Sequence, residues 1–404
     1  MKYTYTARNP EGKLERGELE AASEHDLAEV LRTKGLVLTN TSTSVPSTKS
    51  KFKLSFTLGQ RVSVVDKIFF TQNLQVMVKA GLPLASALKT IAEQTEGAAF
   101  KRVLQNVSEQ VDRGVAMSDA LTPYPKVFSE LFINMIRAGE KSGKLDEVLI
   151  QLATQLRKSH ALISKVRGAL TYPIIVVVAM IGIGTGMMIF VIPQITGVFE
   201  EVHAELPLPT RILIGTSDFL VNNGLWVALG AILFSIIFIR LIHTKRGREL
   251  WHGFLLKLPI MSPILKKINL AKFARTFSSL LKTDIPIVQA FHITATTLGN
   301  ALYRNAIEQA AEQVKKGMPV ATIIKAYPKL FSPLITQMIS VGEETGTLDT
   351  VLDELAIFYE DDVDRTMGSL ATIIEPVLML LLGAGVGTIA VSIMLPLYAL
   401  SENI

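Results

Sequence analysis

Three long stretches without charge limit this fold more than anything else in the chain. No Asp, Glu, Lys or Arg lies between Arg167 and Glu200, between Asp218 and Arg240, or between Glu375 and Glu402. Each stretch is apolar and long enough for the roughly 20-residue helix that crosses a bilayer core. A helix satisfies its own backbone groups in lipid, so transmembrane helices are expected at 168–199, 219–240 and 373–398. None begins near Met1, and no cleaved targeting segment is expected. Lys158, Lys165 and Arg167 precede the first stretch, and Arg240, Lys245, Arg246 and Arg248 follow the second. The loop 200–218 carries Glu200, Glu201, Glu205 and Asp218 against one Arg211. Short loops rich in Lys and Arg stay in the cytoplasm. The N-terminus and residues 241–372 are therefore expected inside, and loop 200–218 and tail 399–404 outside. Basic clusters placed against spans read as topology signals, so no nucleic-acid partner is expected. There is no cysteine, which excludes disulfides, thiolate metal sites and a Cys nucleophile.

The second constraint is a duplication. Tyr124-Pro-Lys-Val-Phe-Ser-Glu-Leu-Phe-Ile-Asn-Met-Ile-Arg-Ala-Gly-Glu-Lys-Ser-Gly-Lys-Leu-Asp-Glu-Val-Leu149 returns as Tyr327-Pro-Lys-Leu-Phe-Ser-Pro-Leu-Ile-Thr-Gln-Met-Ile-Ser-Val-Gly-Glu-Glu-Thr-Gly-Thr-Leu-Asp-Thr-Val-Leu352. One register also pairs Phe70 with Phe273, Pro83 with Pro286 and Gly114 with Gly317. It reaches Pro173 with Pro376 and Pro193 with Pro396, inside the membrane. Each unit is thus a cytoplasmic domain plus the span that follows it. The unpaired middle span returns the chain so that both copies lie on one side.

Within a unit the periodicity is helical. Helices are expected at Val64–Lys79, from Pro83 onward, at Ala98–Arg113 up to Gly114, at Ser129–Glu140 and at Leu145–Ser164. Each copy, 61–167 and 241–372, reads as a compact antiparallel bundle. Residues 1–38 differ: Lys2–Arg8 and Lys13–Glu20 read as strands about Asn9-Pro10-Glu11-Gly12. A helix should start at Ser23-Glu24-His25-Asp26 and end at Gly35, with a third strand at Leu36–Leu38. A Ser-, Thr- and Lys-rich linker, 39–60, should be mobile. The fold class is mainly α: two duplicated cytoplasmic antiparallel helical bundles, three transmembrane helices and a small N-terminal α+β module.

Few motifs carry chemistry. Ala138-Gly-Glu-Lys-Ser-Gly-Lys144 has three residues between its glycines where a phosphate loop needs four, and Leu145 stands where that loop needs Ser or Thr. The second copy, Gly342-Glu-Glu-Thr-Gly-Thr347, has no Lys. Both read as tight helix–helix turns with glycines at positive φ, and no nucleotide or other cofactor is expected. Glu140 and Glu343 sit in these turns. They are solvated or helix-capping carboxylates, contacts for a partner's basic surface, or cation ligands with Asp146 and Asp349. The partner reading takes in Gly139, Glu140, Gly143, Gly342, Glu343 and Gly346. Glu375, just before Pro376 at the edge of the third span, reads as an interfacial group, and Tyr172 takes its place in the first copy. Gly182, Gly184, Gly186, Gly383 and Gly387 suit close packing between spans or between chains. The acidic run Glu360-Asp361-Asp362-Val-Asp364 reads as a solvated face or a docking face. The histidines (His25, His160, His203, His243, His252, His292) show no ligand spacing on one helix.

The duplicated Gly-Glu-x-x-Gly-x-Leu block, segments Phe70–Leu84 and Phe273–Ile287, Glu375-Pro376, Tyr3-x-Tyr5-x-Ala7 and Gly17-x-x-x-Ala21 together resemble the type II secretion F family over nearly the whole chain. One departure is Asp284, where the first copy has Gly81. The resemblance implies a multi-pass platform in a bacterial inner membrane, within a type IV pilus or type II secretion machine, and not an enzyme. Its implied partners are a hexameric cytoplasmic assembly ATPase, pilin or pseudopilin subunits, other inner-membrane assembly proteins and further copies of the chain. It also implies a hypothesis of coupling, in which helices Leu145–Arg167 and Leu348–Arg365 run unbroken into spans one and three. The competing class is a polytopic transporter with internal repeats, but transporter repeats lie mainly in the membrane and these are mainly cytoplasmic. A membrane enzyme needs convergent acids, bases or ligands, and the sequence shows none.

Overall fold

The computed structural model describes residues 2–8, 14–21, 24–33, 35–43, 62–201 and 207–402. The chain divides into two compact units, Met1–Gln60 and Arg61–Ile404.

In the first unit, strands β1 (Lys2–Arg8), β2 (Leu14–Glu20) and β3 (Val37–Thr43) form an antiparallel sheet of order β2-β1-β3. Helix α1 (Glu24–Thr33) buries Leu27 and Leu31, and Gly35 takes a left-handed φ of 71° after it. Strand β3 runs five residues past the expected end at Leu38. Its Tyr3↔Thr43 to Thr6↔Asn40 pairs give polar Thr39–Thr43 a ladder to join. The Asn9–Gly12 turn, Ser23 and linker residues 44–60 lie outside the described residues.

The second unit contains both copies. The first comprises α2 (Val64–Lys79), α3 (Leu84–Gln94), α4 (Ala98–Asp112), α5 (Met117–Leu121), α6 (Glu130–Ser142) and α7 (Leu145–Gly186). Ser63 opens α2 with a capping box, accepting from Asp66 N at 3.0 Å while Asp66 accepts from Ser63 N. Pro83 occupies the N-cap of α3 rather than its first helical position. Phe70, Phe100, Phe128 and Phe132 meet in a buried cluster with centroids 4.9–6.3 Å apart.

The second copy comprises α11 (Met261–Leu281), α12 (Ile287–Thr297), α13 (Ala301–Lys315), α14 (Val320–Lys325), α15 (Pro333–Thr345) and α16 (Leu348–Glu402). Tyr303 stands in the register of Phe100, and its added hydroxyl donates to Leu330 O. Asp284 adopts φ 57° where Gly81 adopts 82°, so both copies turn the chain the same way there. Helix α10 (Lys245–Leu255) precedes this copy and docks on α13, where His252 Nδ1 accepts from Ala301 N at 2.9 Å. Burial, with Arg248 and Arg304 nearby, holds the His252 pKa below its usual value. A histidine that resists protonation when folded stabilises the fold above the unfolded pKa of about 6.5 and loses that contribution as pH falls below it. We expect the second copy to lose about 1 kcal/mol, the worth of one hydrogen bond, on acidification through that window. His252→Asn, which keeps an acceptor without a titrating ring, should flatten the loss in melts from pH 7.5 to 5.

Among the described residues, three helices are long and apolar enough to cross a membrane. Helix α7 continues through Pro173, passes a π-helical turn at Met187–Val191 and goes on as α8 (Ile192–Glu201). Helix α9 (Leu208–His243) kinks at Asn223, and α16 passes Pro376 and Pro396 unbroken. Two sequence expectations change here. Residues 208–218 form the first turns of α9 rather than a loop, because Thr210, Leu213 and Ser217 are buried against the other spans. Thr210 Oγ1 donates to Ser392 O at 2.7 Å, and Ser217 Oγ donates to Met188 O in the π-turn. Such a turn leaves carbonyls short of partners, and the hydroxyl supplies one. Residues 399–402 of the expected tail are helical too, since α16 runs on to Glu402.

Candidate functional site

The most elaborate polar chemistry lies where the two copies meet, on α7, α11 and α16. Helix α11 presents Arg275 at one face, with a side chain only 10% exposed. Its guanidinium grips Glu360 in a bidentate pair, Nε–Oε1 at 2.7 Å and Nη2–Oε2 at 3.0 Å, and also pairs with Asp353. Burial alone would push this guanidinium's pKa down, but the two carboxylates outweigh it and raise the net value. Lys282 joins Asp353 at 2.7 Å. Lys158 of the first copy reaches Glu360 at 3.2 Å, and Lys165 pairs with Asp364. Lys267 holds Asp362 and Thr366, each at 2.9 Å.

The acidic run is therefore largely committed within the molecule: Glu360, Asp362 and Asp364 each have a cation, and Asp361 is exposed. Deeper in the seam, Gln155 of α7 is buried. It donates to Thr276 Oγ1 at 3.0 Å and accepts from Ser279 Oγ at 3.3 Å. A cavity of about 240 Å³ opens beside these groups, lined by Gln155, Lys158, Lys272, Arg275 and Glu360 among others. Sequence reading missed this seam. Its one sequence signal is the loss of symmetry between copies: Arg275 and Glu360 stand where the first copy has Gln72 and Arg157. Two identical copies lack complementary charges, so divergence at matched positions marks where they touch.

The Gly-flanked turns are built differently from expectation. Helices α6 and α15 run on through Glu140 and Glu343 to Ser142 and Thr345, so Gly139 and Gly342 are helical. Only Gly143 and Gly346 take left-handed φ, 72° and 71°, closing each helix. Gly139 is required for contact instead. A Cβ there would lie 3.0 Å from Val148 and 3.1 Å from Leu145 Cα, and Gly342 meets Leu348 and Val351 in the same way. With residues 139–142 helical, this segment does not form a phosphate-cradling loop.

Glu140 turns inward to accept from Met117 N and Ser118 N, 2.5 and 3.1 Å away, at the N-terminus of α5. Glu343 does the same for Val320 N and Ala321 N of α14, at 2.7 and 3.1 Å. Neither short helix has a side-chain cap of its own. The carboxylate thus satisfies two orphan donors from another helix. Removing it should cost about 2 kcal/mol, because bonds to a charged acceptor are worth more than neutral ones. Glu343→Gln should lose roughly half of what Glu343→Ala loses, read as the shift in melting temperature of the detergent-solubilised chain. Asp146 and Asp349 lie in the first turns of α7 and α16, which favour carboxylates. Among the described residues no group of three or more His, Asp or Glu converges on one point.

In the membrane, Glu375 and Pro376 are exposed on α16, and Glu375 has no hydrogen bond or ion pair among the described residues. Gly182, Gly184, Gly186, Gly383 and Gly387 have no atom of another helix within 4 Å of a built Cβ, so none packs span against span within one chain.

Comparison with known proteins matches this architecture part by part. The family described as type II secretion system (T2SS), protein F matches twice, at residues 70–193 and 273–396, and so reproduces the duplication and the span ending each copy. The family's N-terminal domain matches residues 1–42. A Thermus thermophilus protein named type IV pilus assembly protein PilC is 35% identical over 98% of this chain and 97% of its own. A Myxococcus xanthus protein of the same name is 36% identical over 84% of this chain and 81% of its own. The type II secretion system protein F of Pseudomonas aeruginosa is 31% identical over 99% and 98%. The chain belongs to the type II secretion system protein F family.

Proposed function

We propose that this chain is an inner-membrane platform of a type IV pilus or type II secretion machine, which couples a cytoplasmic assembly ATPase to the insertion of pilin-like subunits into a fibre. The observation that carries the reading is mechanical. Helices α7 and α16 each begin at a bundle's outer turn and continue without interruption into an apolar span. Displacement of a bundle therefore has a stiff path into the membrane. From Leu145 to Arg167 that path is about 33 Å at 1.5 Å per residue, which sets the Gly-flanked turns at the membrane-distal end of each bundle. On this reading the turns face the ATPase. Their exposed rims (Lys141, Lys144, Glu344 and Thr347) meet it, while Glu140 and Glu343 hold the turn in shape. The platform itself performs no catalysis. It sits with its N-terminus in the cytoplasm, and the pilus reading leads because the PilC relatives above match at 35–36% identity.

The test deletes the gene and looks for surface fibres and secreted substrates. Loss of fibres, restored by the wild-type chain, supports the reading, and fibres and secretion both persisting would overturn it. Capture of the cell's assembly ATPase by the solubilised chain, reduced by Lys141→Glu with Lys144→Glu, places the turns at the contact. Capture unchanged by that pair removes the turns from it.

A further inference from the structure

The two copies meet through unlike faces, and this leaves one matching pair of faces uncovered. Helices α6 and α7 of the first copy pack on α11 and α12 of the second. Gln155 bonds Thr276 and Ser279, and Gln289 Nε2 donates to Asn134 Oδ1 at 3.1 Å. A two-fold relation would repeat these contacts between α15–α16 and α2–α3 of the same chain. It does not, because those faces are exposed. Thr276 and Ser279 are 1% and 5% exposed, whereas Phe69 and Val76, on the stripe that the register equates with Lys272 and Ser279, are 61% and 60% exposed. Asn73, in the place of Thr276, is exposed as well. On the opposite face Gln155 is 5% exposed, and its counterpart Phe358 is 50% exposed beside Ile357 at 41%. Gln337 and Ser86, the counterparts of Asn134 and Gln289, are both exposed and carry matching hydrogen-bonding groups.

We propose that a second copy of this chain covers these faces, its α15–α16 face docking on α2–α3 and repeating between chains the contact that joins the two copies within one. The occupant follows from continuity with the interface already present, since the same backbone framework offers the same complementary shapes. The substitutions suit a contact between chains. The polar trio Gln155, Thr276 and Ser279 becomes Phe358, Asn73 and Val76, which adds apolar area at the centre of the patch, where such interfaces draw their energy. A contact between unlike faces propagates head to tail and closes into a ring when the rotation divides a full turn. Closure is available because both copies feed a span in the same direction, so one rotation about the membrane normal relates successive domains. A ring of this kind alternates first and second copies around its axis.

The absence of native cysteine makes the test direct. Two differently tagged full-length chains, one Asn73→Cys and one Phe358→Cys, are co-expressed and treated in membranes with a short bis-maleimide. The expected result is a covalent dimer carrying both tags, with none from either variant alone. An Asn134→Cys, Gln289→Cys chain, with its thiols in place of the exposed pair that joins α6 to α12, should close within itself and so resist a later thiol-reactive mass tag, which verifies that the fold and the reagent are sound. With that control closing, absence of the mixed dimer overturns the proposal. So does a homodimer through Asn73→Cys alone, which means like faces meet. The platform reading stands under any of these results.

Discussion

Arg275→Ala should lower the stability of the seam between the two copies by about 3 kcal/mol, among the largest effects of any single substitution in this chain. The guanidinium is the shared partner of Glu360 and Asp353, whose side chains are 14% and 29% exposed. Removing one partner of a buried pair leaves the other charge desolvated, and costs about 3–5 kcal/mol. The lower figure applies because Lys158 and Lys282 remain beside the two carboxylates, and Asp353 has some access to water. Arg275→Lys should restore little, since an ammonium cannot reproduce the fork that meets Glu360 at two points. Arg275→Met paired with Glu360→Met should recover much of the loss, as apolar replacement of a whole pair often does. Melting of the detergent-solubilised variants reads the series. Equal losses for the single and double variants would show that packing, rather than the stranded charge, sets the cost.

The same seam shows what was legible in the sequence and what was not. The spans were plain because the absence of charge over a whole helix length is a local property. The duplication was plain because it is a comparison of the chain with itself. The helix end at Lys79, and the stop at Gly114 just past the end of α4 at Asp112, followed from local signals. The partners of polar groups were not legible, since they depend on register between distant elements. Glu140 finds its donors 23 and 22 residues upstream, and Glu360 finds Arg275 85 residues away. Nothing beside Glu360-Asp361-Asp362 distinguishes a solvated run from one threaded with cations. Residues 208–218 misled for the same reason: Thr210 and Ser217 look like loop residues until their hydroxyls meet carbonyls of the neighbouring spans.

Softening the connector of α7 should abolish fibre assembly while leaving both bundles folded. Between Leu162, the last fully buried side chain on α7, and the start of the span, the helix rests on partly buried Val166, Ala169 and Leu170 and on the Lys165–Asp364 pair. Glycine at Ser164, Val166 and Ala169, beside the existing Gly168, lowers helix propensity by about 1 kcal/mol per substitution relative to alanine. Lys165 and Arg167 stay in place, so the signal for orientation in the membrane is kept. Alanine at Ser164 and Val166, with Ala169 left as it is, truncates the two larger side chains but keeps the rod stiff, and should assemble fibres normally. The two variants differ in bending stiffness and in little else. A glycine variant that reaches the membrane, captures the ATPase and yields no fibres would establish that force passes along this helix. If its fibres match those of the alanine variant, the helix is a tether, and motion must reach the membrane by another route. The remaining continuous route is α16, which crosses from the Gly346 turn to Glu402 in one piece and is bound to α7 through Glu360 and Asp364. Because the Lys158–Glu360 pair joins the two rods ahead of the softened stretch, a glycine break in α7 alone also asks whether α16 can carry the load of both.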